Sequence, residues 1–422
     1  MLVSPGSIGS LGSPSVAAAA SAAPLGTLLH TLDNPNAYST SAADVFARGV
    51  AISESYAIAG AYQEDAGGTS SGAAYIFNNS TGALLHTLIN PNAFYTSAGD
   101  EFGWAVSISE SYAISGAHKE RANDYQSYSG RAYIFNSSTG ALLHTLNNPN
   151  AYGTNGYDYF GNSVGISDTH AIVGAYQEDD ASGTNSGKAY IYTSATGALL
   201  HTLDNPNPVG TSTNDFFAYS VDISESYAIV GAYYEDDAGG SDSGKAYIYS
   251  NSTGALLHTL DNPNAYSISN GDRFGQNVGI SESYSIVGAY AEDDAGGSSS
   301  GKAYIYSNST GALLHTLDNP NAYGTSAYDS FGYSVDISDT HAIVGAYAED
   351  DTGLSSTGRA YIYDVSTGAL LHTADNPNAY STPAYDLIGY SVGISDTHAI
   401  AGAYGEDDAG GTSSGKAYIY SV

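Results

Sequence analysis

The run Leu-Leu-His-Thr occurs seven times, placing histidines at His30, His86, His144, His201, His258, His315 and His372, 56 to 58 residues apart. A fixed period of this length restricts the chain to a solenoid, a propeller or a linear array, and it overrides the division into several domains that the length alone would suggest. The unit is legible between Asp329 and Thr373, DSFGYSVDISDTHAIVGAYAEDDTGLSSTGRAYIYDVSTGALLHT.

Four short runs in this unit are rich in β-branched, aromatic or small apolar residues and are bounded by Gly, Ser, Asn or Asp, which predicts strands over Phe331 to Ile337, His341 to Tyr347, Arg359 to Tyr363 and Ala369 to Thr373. No stretch has helical spacing. Four antiparallel strands per repeat make a propeller blade, and seven repeats fall within the usual range of about four to eight blades. The expected fold is therefore all-β, a seven-bladed β-propeller. A lone fourth strand at Thr27 to Leu32 precedes the first complete repeat, and the last repeat stops after a third strand at Tyr418 to Val422. Pairing these two would complete the last blade and close the ring without an open seam. This divides the chain into an uncharged Gly/Ser/Pro/Ala-rich arm over 1–26 and a propeller over 27–422.

The pairing of Phe-Gly at the start of one strand with Val-Gly-Ala at the end of the next, as in Phe331-Gly332 and Val344-Gly345-Ala346, resembles the FG-GAP repeat of integrin α-chain propellers and many bacterial surface proteins. The likeness spans Thr27 to Val422. The first motif is altered to Phe46-Ala47, Phe217-Ala218 and Ile388-Gly389 in three repeats. The family often carries an Asp-rich calcium loop after the first strand. Here that turn is only Ser-Glu-Ser-Tyr or Ser-Asp-Thr-His, so the family's calcium ligands have no counterparts in it.

The formal charge is −33 with only ten Lys plus Arg. Such a surface repels nucleic acid and anionic membranes, and no apolar run is long enough to insert into a bilayer. With no cysteine there is neither a disulfide framework nor thiol chemistry. Residues Ser15 to Ala23 have the small side chains of a signal-cleavage region but lack a positive n-region. An uncharged, Ala-rich arm can pack along its own ring or on a neighbouring copy. Head-to-tail docking on a neighbour generates open filaments, so the arm 1–26 is the expected polymerising element of a homopolymer.

Alternating strand direction collects the long loops, and most of the acid, on one face. Each repeat has an Asp just before its first strand, Asp158 among them, and most have an acidic run after the second. Calcium is the one cofactor these groups could hold, and the candidate ligands are Asp158, Asp179, Asp180, Asp236, Asp237, Asp293, Asp294, Asp350, Asp351, Asp407 and Asp408. Their spacing matches no established calcium loop, which favours turn-forming and solvated roles. Arg131, Lys188, Lys245, Lys302, Arg359 and Lys416 open the third strands at the same end, where they are expected to pair with the acidic runs. The strand-three to strand-four hairpins carry Asn-x-Ser/Thr at Asn79, Asn136, Asn251 and Asn308, read as exposed turns that would tolerate a glycan. Blade two departs most from the others. Its Trp104, His118, Lys119 and Arg121 are the expected place for a specific contact.

No Ser-His-Asp order, paired catalytic carboxylates or phosphate loop is present. The same side chains recur sevenfold, whereas catalysis needs one distinct constellation. The sequence thus points to a non-enzymatic, extracellular or cell-surface structural or adhesive propeller that self-assembles through its arm. The alternative is a calcium-dependent propeller that binds glycans or other surface proteins.

Overall fold

A computed structural model of the chain describes residues 23–35, 43–91, 97–121, 128–149, 156–179, 183–206, 214–236, 241–263, 271–293, 297–320, 327–350, 355–377, 385–407 and 412–422. It contains 28 strands and, among the described residues, no helix. They form seven four-stranded antiparallel sheets. In six of these the strand order follows the chain. The seventh is composed of Leu28–Asp33, Lys416–Ser421, His398–Ala403 and Ser391–Ile394, in that order. His30 pairs with Ile419 and Leu32 with Ala417, so the two ends of the described chain share one blade.

The seam reproduces the hairpin it replaces. In the first blade the Gly82 amide donates to the Asn78 carbonyl at 2.8 Å, and in the last the Gly26 amide donates to the Ser421 carbonyl at 2.8 Å. Both glycines have positive φ, 67° and 78°. Residues 23–26 therefore lie against the chain's own ring, while 1–22 fall outside the described residues. The expected boundary after residue 26 is drawn within a segment that completes the blade.

In six of the seven blades the inner strand is shorter than its sequence suggests. The strand expected over Phe331 to Ile337 begins only at Ser334, because Ser330 (φ 59°) and Gly332 (φ 84°) place the preceding residues in a left-handed turn. That turn lets the Gly332 amide donate to the Gly345 carbonyl at 3.0 Å and drives Phe331 into the core, where it is fully buried. The core lies between blades. Ile58, Ala74, Ile76 and Leu88 of one blade pack on Phe102, Val106, Ile108, Tyr133 and Phe135 of the next. Burying one such aromatic contributes about 1.5–3 kcal/mol.

The Val-Gly-Ala glycine belongs to the same contact. A Cβ on Gly345 would overlap the Gly389 carbonyl oxygen of the following blade, so no larger residue permits this approach. Outer-strand histidines lie across the next blade's hairpin. The Nε2 of His86 is 2.9 Å from the Ser138 carbonyl, and that of His144 is 3.0 Å from Ala195. At the seam His372 packs on Gly26 in the same way. These histidines bridge blades at seven separated places.

Candidate functional site: the mouth of the central channel

The acidic residues of the long-loop face have structural partners. Each Asp before an inner strand is buried and accepts a hydrogen bond from an Asn side chain ten residues earlier, as Asp158 does from Asn148 at 2.8 Å. The same pair recurs as Asn34 with Asp44, Asn90 with Asp100, Asn205 with Asp215, Asn262 with Asp272, Asn319 with Asp329 and Asn376 with Asp386. Within the acidic run the second residue closes its own loop. Asp179, Asp236, Asp293, Asp350 and Asp407 accept the amides of Asn185, Asp242, Ser299, Ser356 and Ser413 at 2.8–2.9 Å. Asp180, Asp237, Asp294, Asp351 and Asp408 lie outside the described residues. Among the described residues no three His, Cys, Asp or Glu side chains converge as a metal site would require.

The first residue of the run corrects the reading of a solvated face. Glu64, Glu120, Glu178, Glu235, Glu292, Glu349 and Glu406 are fully buried. Each accepts the hydroxyl of a third-strand tyrosine: Tyr75, Tyr133, Tyr190, Tyr247, Tyr304, Tyr361 and Tyr418. Burial pushes the carboxyls up to about 7 or 8, against the opposing pull of the tyrosine hydrogen bond. The signal in the sequence was a Glu followed by a Tyr 11 to 13 residues later in every repeat. It was hidden because in five repeats the Glu is followed by two further acids, so that the run reads as one charged stretch.

Third-strand cations pair less uniformly than expected. Arg131 meets Glu120 and Arg359 meets Glu349, both within the acidic runs. Lys188, Lys245 and Lys302 instead meet Asp204, Asp261 and Asp318 at the end of the outer strand, and Lys416 reaches both Asp33 and Glu406.

Three of the four glycan candidates are overturned. The side chains of Asn79, Asn251 and Asn308 are at most 1 % exposed, and their amides donate to the carbonyls of Ser53, Ser224 and Ser281 at 2.8–2.9 Å. No sugar fits on a nitrogen so enclosed. Asn136 occupies the neighbouring hairpin position, half-buried, with its Oδ1 accepting from Ser138 and Thr139.

Blade two is divided. His118 is 3 % exposed, so it is an interior group and not a surface contact. Burial, then Lys119 and Arg48, hold its pKa well below the ordinary value. Lys119 is tied to Glu101 at 2.7 Å, and Arg121 is exposed. Trp104 has a different setting. It packs on the tilted His118 ring with centroids 4.4 Å apart and meets Tyr62 edge-to-face at 5.0 Å, and it lines the central channel.

The channel is where the repeats differ. The channel-lining residue at the entry to each inner strand is Arg48, Trp104, Asn162, Tyr219, Gln276, Tyr333 or Tyr390 in successive blades. These seven converge on one mouth at the long-loop end, around a cavity of about 230 Å³. Arg48 places its guanidinium carbon 3.4 Å from the Trp104 centroid and 5.5 Å from those of Tyr62 and Tyr390, a cation–π arrangement. The Tyr333 hydroxyl donates to Tyr390 at 2.9 Å, and the Arg48 Nη2 reaches the same oxygen at 3.4 Å. A second tier of rings, including Tyr176, Tyr233, Tyr347 and Tyr404, backs the first at centroid distances of 4.5–5.2 Å. Sequence reading singled out Trp104 and missed the other six, because each of them looks like ordinary variation within its own repeat.

Deeper polar groups in the channel cap backbone. Ser163, Ser220, Asn277 and Ser391 accept the Val221, Val278, Val335 and Val50 amides of a neighbouring inner strand at 3.0–3.1 Å. Asp222 and Asp336 likewise accept the Ile280 and Ile394 amides at 2.8 Å. They are half-exposed, being enclosed by protein yet open to the channel. Enclosure raises both carboxyls, Asp336 also through repulsion from Asp222.

No curated protein matches the chain. A family model described as FG-GAP repeat matches residues 37–77, 96–135, 150–192, 208–249, 265–306, 321–363 and 379–420. These seven matches cover most of the chain and coincide with the seven blades, each taking in the inner three strands and the packed Phe and Gly-Ala positions that join one blade to the next; the chain belongs to the FG-GAP repeat family.

Proposed function

We propose that this chain is a non-enzymatic, extracellular adhesive propeller that recognises its partner at the mouth of the central channel. FG-GAP repeats are typical of extracellular proteins. The observation that supports this reading is the set of blade-specific side chains, Arg48 to Tyr390, gathered at one place among described residues that otherwise largely repeat from blade to blade. Aromatic rings with polar edges, gathered in a concave site beside amide and guanidinium donors, suit binding. Among the described residues of the mouth no nucleophile is paired with a base. The test is surface binding of labelled full-length chain to printed glycans and extracellular proteins, with calcium or with EDTA, for wild type, Trp104→Ala and Tyr333→Ala. Loss of binding in variants that keep the wild-type circular dichroism supports the mouth; unchanged binding refutes it. Loss in EDTA alone would favour the calcium-dependent alternative.

A second reading, self-assembly, is favoured by a separate observation. Six blades expose both leucines of Leu-Leu-His-Thr, for example Leu142 at 44 % and Leu143 at 41 %, because a β-bulge at this point turns consecutive residues outward together. The strip is uncharged, so two copies of a chain at −33 can approach there with least repulsion, and we propose a second copy as its occupant. Electron microscopy and sedimentation of the full chain, a version lacking residues 1–22, and Leu142→Ser with Leu143→Ser separate the routes. Filaments lost only on truncation implicate the arm; association weakened by the serines implicates the strip; single rings from the full chain at all concentrations refute both.

A further inference from the structure

Of the ten Lys and Arg residues, seven meet a carboxylate: Lys119, Arg131, Lys188, Lys245, Lys302, Arg359 and Lys416. Arg48 does not. In a protein with 43 acidic residues, its guanidinium rests on Trp104 with one long hydrogen bond, to Tyr390. Most of its five N–H donors are therefore unused, although it is half-buried at the channel mouth. The Tyr390 oxygen already accepts from Tyr333 and Arg48, which leaves its own O–H to donate elsewhere. Across the mouth, the Gln276 side-chain amide makes no hydrogen bond among the described residues, and the Asn162 amide makes one, to the Tyr219 carbonyl at 3.2 Å.

We propose that the channel mouth binds a carboxylate carried on a hydroxylated ring, as in a uronic acid residue, with Arg48 and Tyr390 receiving the carboxylate. This rests on the mouth being the recognition surface and names its ligand class. A carboxylate is the group that matches a planar fork of guanidinium donors beside a phenol O–H. The tyrosine rings at the mouth offer apolar surface to a sugar ring, and the Asn162 and Gln276 amides offer partners for its hydroxyls. The cavity of about 230 Å³ has room for a single sugar ring. Orientation follows from the placement of the cation. Arg48 is the one Lys or Arg among the described residues lining the channel, so the carboxylate is held at the mouth. Asp222 and Asp336, three residues further along the inner strands and so about 10 Å deeper, offer it no cation. The overall charge of −33 excludes polyanions.

Isothermal titration of the full-length chain with glucuronate, glucose and benzoate tests this. Glucuronate is expected to bind at least tenfold more tightly than either, and Arg48→Gln to weaken it at least tenfold without lowering the melting temperature appreciably. The paired substitution Asn162→Ala with Gln276→Ala, away from the stacked cation, is expected to weaken glucuronate several-fold. Equal affinity for glucose removes the carboxylate, equal affinity for benzoate removes the sugar ring, and glucuronate affinity unchanged in both variants places the ligand elsewhere. Absence of binding by all three compounds overturns the ligand class, while the adhesion assay with Trp104→Ala still decides whether the mouth is the recognition surface.

Discussion

Replacing Glu178 with Gln should leave the propeller unchanged at pH 5 and stabilise it at pH 8.5. Glu178 is fully buried, accepts the Tyr190 hydroxyl at 2.7 and 2.8 Å, and is pushed up to about 8 chiefly by burial. In the unfolded chain it titrates near its ordinary value of 4.5. Between these values the folded state binds the extra proton, so stability falls as pH rises. The contribution is complete below about 4.5 and disappears as pH climbs through 8. At about 1.4 kcal/mol per unit, a separation of some 3.5 units caps the loss at roughly 5 kcal/mol. Local relaxation and a compact denatured state reduce the expectation to about 2–3 kcal/mol. Glutamine keeps an oxygen for Tyr190 and cannot ionise. Urea unfolding at half-unit steps from pH 5 to 9, followed by circular dichroism, yields both curves. Their difference is the measurement, because the repulsion within a chain at −33 also grows with pH and cancels between them. A difference that stays constant across the range, or a variant that loses ground as pH rises, would refute buried ionisation as the cause.

Three further outcomes follow from the geometry. Phe331→Ala removes a fully buried ring between blades and should cost about 3–5 kcal/mol, read as a drop in the urea midpoint; a loss under 1 kcal/mol would contradict the inter-blade core. Ala218, at φ 67° where most blades have glycine, is strained by about 1–2 kcal/mol, partly offset by the unfolded-state entropy that glycine adds. Ala218→Gly should therefore be neutral or raise stability by up to about 1 kcal/mol, and a fall in melting temperature would count against the strain. Secreted from a glycosylating host, the chain should carry no sugar on Asn79, Asn251 or Asn308, and peptide mass spectrometry finding full occupancy at any of them would show that the turn opens.

Period, strand content and blade number were legible because each repeat reports the same local pattern seven times, so that chance variation averages out. The split of the last blade was legible for the same reason: the lone strand at Thr27 to Leu32 and the missing one after Val422 are complementary in the repeat. Other features are invisible to local reading. Asn79 and Asn136 fit the same tripeptide, yet they occupy adjacent hairpin positions, and one is turned inward to hold the Ser53 carbonyl. Glu178 and Asp179 are neighbours in a charged run, yet one is sealed under a tyrosine and the other closes a surface loop. Alternation of side-chain direction decides such pairs, and its phase in a loop depends on where the neighbouring blade presses.

By itself the sequence determined a closed ring of seven similar blades, since a repeat that cannot bury its own faces must stack on copies of itself and the split blade joins the ends. It also determined a strongly acidic surface without thiols. Only the tertiary structure decided which acids are interior, which cations are left without a carboxylate, and that Arg48, Trp104, Asn162, Tyr219, Gln276, Tyr333 and Tyr390 share one mouth. These residues are 56 to 58 positions apart in the chain. They meet because ring closure brings every inner strand to a common axis, where differences spread through the repeats become neighbours.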